Sequence, residues 1–118
     1  MNNNKDTSEI EKSKSHVIVE IIEYIPNAIV SRTIIKKTTG NVTVSSFAEG
    51  EEQATISYGY DTFIQIIDGT AEVKISEKEF VLHTGDGIII PAFARHCFDA
   101  KVKFKMLSTV IKSGYEEH

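Results

Sequence analysis

The chain has 118 residues, one domain's worth, with 41% hydrophobic and 25% charged side chains, the balance of an ordinary folded globular protein. Its net charge of -4 argues against nucleic acid or an anionic membrane as a partner. No apolar run approaches the roughly 20 residues of a membrane span and no leader-like stretch opens the sequence, so a cytoplasmic protein is expected, and the single Cys97 allows no internal disulfide.

The first fifteen residues, rich in Asn, Ser, Lys and Glu, hold one isolated apolar side chain, Ile10. That is too little burial to offset the entropy of ordering, so residues 1–15 are expected to form a disordered tail and residues 16–118 the folded domain. From Val17 onward the chain is β-branched. Eight runs follow in order: VIVEII, AIVSRTIIKK, NVTVSSFA, TFIQIID, TAEVKIS, EFVLH, GIIIP and VKFKMLSTVIK. Turn signals such as Pro26-Asn27, Thr39-Gly40-Asn41 and Gly85-Asp86-Gly87 separate them. In TAEVKIS, Ala71, Val73 and Ile75 share one face; in KVKFKM, three lysines oppose Val102, Phe104 and Met106. Asp68-Gly69 suits a tight hairpin turn between two strands. The expectation is an all-β, single-domain barrel or double sheet.

Two glycine-bounded segments sharpen this. Gly50 and Gly69 stand at the spacing that bounds the first motif of the cupins, and GDGIIIPAFARHCFDA places Gly85, Pro91 and His96 at positions of the second. The chain resembles a small bacterial cupin over roughly residues 29–112, with a degenerate first motif. The resemblance implies a cupin-like double-stranded β-helix, a jelly-roll barrel. It also implies that Ile56, Tyr58 and Thr62 occupy the positions where the family carries His, His and Glu, and that Phe93 and Ala100 replace the second motif's Gly and Asn. His96 is then the one metal ligand retained of four. A catalytic divalent site generally needs about three protein ligands, so no metal and no other cofactor is expected.

Each polar candidate has two readings. His96 is either an acid/base or hydrogen-bonding group at the pocket, or a histidine filling a barrel mouth. Asp61 either pairs with His96 or ends a surface turn. Tyr58 and Tyr60 either gate the pocket or pack at a loop edge. Cys97, adjacent to His96 on a strand, should face the other way, which argues against a Cys–His nucleophile.

The resulting expectation is a metal-free small-molecule binder or sensor. Its ligand-binding residues would be His96, Tyr58, Ile56, Thr62, Asp61, Ile64 and Phe98, with Phe63 as the alternative to Ile64 and with Ile66 in the same wall. A small isomerase, epimerase or dioxygenase, metal-assisted or using His96 as acid/base, is the alternative. Ile29, Ile34 and Ile35 offer more apolar surface than one small barrel is expected to cover, so a homodimer built through sheet edges is expected.

Overall fold

The computed structural model describes residues 9–115. Seven antiparallel strands form the barrel: β1 (Ile29–Lys37), β2 (Gly40–Phe47), β3 (Asp61–Ile75), β4 (Lys78–His83), β5 (Gly87–Ile90), β6 (His96–Asp99) and β7 (Phe104–Ile111). The main path runs β1-β2-β7-β3-β4, and β5 and β6 also pair with β3. The all-β jelly-roll expectation holds.

The long strand β3 organises everything else. Its first half pairs with β7 and β5, its second half with β4 and β6, so one strand serves both sheets. Its buried side chains are even-numbered before the bend (Thr62, Ile64, Ile66) and odd-numbered after it (Ala71, Val73, Ile75). A register shift between Ile66 and Asp68 explains the change of parity: one extra residue turns the inward face over. The expected Asp68-Gly69 hairpin is therefore corrected. Gly69 does adopt positive φ (87°), but as the bend within a continuous strand.

Three further expectations change. VIVEII is not a strand: its centre is a single 3-10 turn, Ile18–Glu20, and the segment lies on the outer face of β2 and β7. Those two strands are already paired on both edges, leaving no ladder for it to join. Side chains hold it instead, Ser46 Oγ donating to the Glu23 carbonyl at 2.9 Å and Lys105 Nζ to the Val19 carbonyl at 2.6 Å. The lysine stripe breaks for the same reason, because Lys105 is buried beneath this segment while Val102 lies exposed in the turn before β7. TFIQIID and TAEVKIS merge into β3, and the short β6, absent from the runs of β-branched residues, lies beside it. Residues 1–8 of the expected tail lie outside the described residues. Of the rest, Glu9 accepts a 2.7 Å hydrogen bond from the Lys36 N–H and Ile10 donates to the Ile34 carbonyl at 3.3 Å, so this stretch follows the free edge of β1.

Candidate functional site

Strand alternation builds a wall in layers. From base to mouth, β2 directs Phe47, Ser45, Thr43 and Asn41 inward and β7 directs Phe104, Met106, Ser108 and Val110, while β3 contributes Ile66, Ile64 and Thr62. The register sets Phe47 beside Phe104, Ser108 between Thr43 and Ile64, and Val110 between Asn41 and Thr62. Phe47 and Phe104 stack at 4.5 Å between ring centroids and close the base. Above them opens a cavity of about 360 Å³. Lys112 continues the inward row of β7 beyond the strand end, and its ammonium lies 5.7 Å from the ring centroid of Tyr60, another lining residue.

The opposite wall comes from β5, β6 and the chain between β2 and β3. Ile56 and His96 exchange two backbone hydrogen bonds of 2.9 Å, and the Gln53 N–H donates to the Phe98 carbonyl at 2.9 Å. The stretch after Gly50 is thus stitched along β6, bringing Gln53, Ile56 and Tyr58 to the cavity with His96 and Phe98. His96 is only 4% exposed. Its Nδ1 lies 3.1 Å from the Ala94 carbonyl oxygen, which fixes Nδ1 as the donor and leaves Nε2 as the acceptor of the neutral ring. Tyr58 packs at 5.7 Å and Phe98 edge-on at 6.0 Å between ring centroids.

Six expected residues, Ile56, Tyr58, Thr62, Ile64, His96 and Phe98, share this cavity. Asp61 does not, and the pairing with His96 is corrected. Thr62 faces in, so its neighbour Asp61 faces out; Asp61 Oδ1 accepts from the Ala92 N–H and its own N–H meets Tyr115 Oη, both at 2.8 Å. Phe63 is outward and 42% exposed, and Ile66 is buried in the core cluster rather than lining the cavity. Cys97 alternates away from the barrel cavity toward an outer groove with Lys74 and Arg95.

Reading by motif missed the polar wall. Ser31, Asn41, Thr43, Ser45, Gln53, Ser108 and Lys112 all line the cavity. The signal was present in NVTVSS, where every second residue is polar and could have been placed inward, and in MLSTVIK, where Ser108 and Lys112 fall on the face of Met106. Two polar atoms in this cavity, Thr62 Oγ1 and Gln53 Oε1, are buried without a hydrogen-bond partner.

The donor set does not fit a divalent metal. The four positions meet in one cavity but offer one imidazole, two neutral hydroxyls and an alkyl group, and among the described residues no three His, Cys, Asp or Glu cluster together. Among the described residues, the cavity lining contains no carboxylate.

The bent β3, the closed base and the cavity above it define a small single-barrel protein of the jelly-roll class. Residues 44–110 match the family model of the Cupin domain, and the chain belongs to that family. It is similar to the crystal structure of a conserved protein of unknown function from Streptococcus pyogenes, at 26% identity and TM-score 0.85 over 96% of this chain and 99% of that one. A cupin superfamily protein from Desulfitobacterium hafniense matches with TM-score 0.83 at 23% identity, over 91% and 98% of the two chains. A Cupin 2 conserved barrel domain protein from Leptotrichia buccalis aligns with 80% of this chain and 46% of its own, at 28% identity and TM-score 0.77. No curated protein matches the chain.

Proposed function

We propose that this cupin binds a small organic molecule in the cavity around His96 without a resident metal. One observation carries the reading: the positions that hold metal ligands elsewhere in the family converge here on a single cavity, occupied by Ile56, Tyr58, Thr62 and His96. A cavity of about 360 Å³ falls at the small end of the roughly 300–1,000 Å³ of ligand pockets. Its walls combine apolar side chains with a few convergent polar groups, the composition such pockets share.

The test pairs elemental analysis with ligand-observed NMR on a mixed library of neutral, anionic and cationic fragments. Untagged protein should carry well under one equivalent of transition metal and keep its melting temperature in chelator, while fragments that bind wild type are lost in His96→Ala. A stoichiometric metal removed together with stability would overturn the metal-free reading.

We also propose a homodimer through the free edge of β1. Among the described residues, residues 29–33 pair with β2 on one side only, and Ile29 and Ile35 are 37% and 46% exposed. Light scattering should report twice the chain mass at micromolar concentration; a monomer would remove the claim.

A further inference from the structure

We infer that the ligand is a hydroxylated monocarboxylate, its hydroxyl bound at the buried Thr62, Gln53 Oε1 and His96 and its carboxylate held by the exposed Lys112, one inward step beyond Val110, the register partner of Thr62. The inference rests on the reading of this cavity as a binding site and specifies the chemistry it selects.

The buried end supplies the first half. Thr62 is 5% exposed and its Oγ1 has no partner, while Gln53 Oε1 is equally enclosed and unpaired. A buried polar atom without a partner is destabilising, so native proteins satisfy such groups with protein, water or ligand. Gln53 Oε1 can only accept, and so can His96 Nε2 once Nδ1 donates to the Ala94 carbonyl. Thr62 Oγ1 both donates and accepts. Two acceptors and one hydroxyl on a common lining call for a ligand that brings donors. By contrast, the hydroxyls of Ser31 and Ser45, nearer the base, already satisfy each other at 2.7 Å.

Charge decides which donor. An ammonium would serve the acceptors equally well, but among the described residues no Asp or Glu lines the cavity to balance it. Among the described residues, Lys112 is the one Lys, Arg, Asp or Glu on the lining, and its position at the end of the β7 row puts that charge at the mouth. A hydroxyl inside and an anion outside is the arrangement that leaves no buried charge unpaired. Ile90 stands beside Thr62 in the register, and Ile64 and Met106 lie below it toward the base, an apolar floor for the body of the ligand.

Two chemical sources supply such a molecule, aliphatic polyhydroxy acids and aromatic hydroxy acids. Protein NMR titrations with gluconate and with 4-hydroxybenzoate separate them. Each acid is compared with an uncharged counterpart, sorbitol or 4-hydroxybenzamide, and a counterpart without hydroxyl, hexanoate or benzoate. At least one acid should shift the amides of Thr62 and His96 and bind about tenfold more tightly than both of its counterparts. Thr62→Val should abolish the preference for the hydroxyl and keep the preference for charge; Lys112→Met should do the reverse. The valine variant should melt no lower than wild type, because it removes an unpaired hydroxyl at nearly constant volume. Failure of both acids to bind below about 10 mM, or equal binding by their counterparts, overturns the inference. If neutral fragments still occupy the cavity and depend on His96, the binding reading survives that failure; if the whole fragment library is silent, both fall together.

Discussion

Tyr24 Oη donates a 2.6 Å hydrogen bond to Asp68 Oδ2, joining residues 44 positions apart and fastening the N-terminal segment to β3 beside its bend. Lys103 and Lys105 lie 4.6 and 4.9 Å from the centre of the same ring. Burial, and then the Asp68 carboxylate, push the Tyr24 phenol well above its ordinary 10.0. A group whose pKa is raised on folding contributes fully below its unfolded value and loses that contribution as pH rises toward the folded one. Tyr24→Phe should therefore cost about 1–2 kcal/mol in urea unfolding at neutral pH and flatten the loss of stability above pH 10. An unchanged midpoint would show that the Tyr24–Asp68 hydrogen bond contributes nothing to holding the segment.

Gly69 is the second expected weak point. Its φ of 87° disfavours any side chain, and a Cβ there would collide with the Lys103 carbonyl oxygen and press on Phe104. Gly85 has a similar φ, 96°, with open space around it. Gly85→Ala should cost about 1 kcal/mol and Gly69→Ala about 3 or more, since only the second adds a clash with backbone. Similar costs in thermal unfolding would remove the claim that close approach of β7 dictates the glycine.

The difference between these glycines marks what sequence can express. Alternation and turn chemistry are local, so β1, β2, β4, β5 and the inward set Ala71, Val73 and Ile75 were legible from residue order alone. Whether Asp68-Gly69 turns a hairpin or bends one strand depends on β7 packing against it, which no local pattern encodes. The candidate site divides in the same way. Spacing placed Ile56, Tyr58, Thr62 and His96 together because the motif is itself a strand register. Asp61 failed because a motif position was allowed to outrank the period-2 rule, which had already turned it away from Thr62. The hydroxyl wall was missed because no motif position falls on β2, and alternation in NVTVSS does not by itself say which face turns toward the cavity.

Acid should release the N-terminal segment from β1. The Lys36 N–H first, and then the Lys12 side chain, lower the Glu9 carboxyl from 4.5 to about 2. For a depressed acid the contribution is present above 4.5 and is lost as pH falls through about 2. The Lys36 amide resonance should accordingly titrate with a midpoint near 2, and Glu9→Gln should leave it flat down to that pH. A midpoint at 4.5 would mean that the carboxylate and the amide are not in contact in solution.

The strand register can be tested by putting the missing chemistry in. Ile56 faces His96 across a two-way backbone bridge, Tyr58 packs on the imidazole, and Thr62 lines the same cavity. Replacing them together, Ile56→His, Tyr58→His and Thr62→Glu, should gather four ligands at one point. The new polar groups should cost about 1–3 kcal/mol in the metal-free state, which metal binding offsets by mass action. The triple variant is expected to take up about one equivalent of a divalent transition metal and to melt higher when loaded. Adding His96→Ala should weaken that binding at least about tenfold, roughly 1.4 kcal/mol. An error of one residue in register would turn the introduced side chains to the outer face. If the triple variant folds and binds metal no more tightly than wild type, these four positions do not meet in solution, and the cavity drawn around His96 loses its geometric basis.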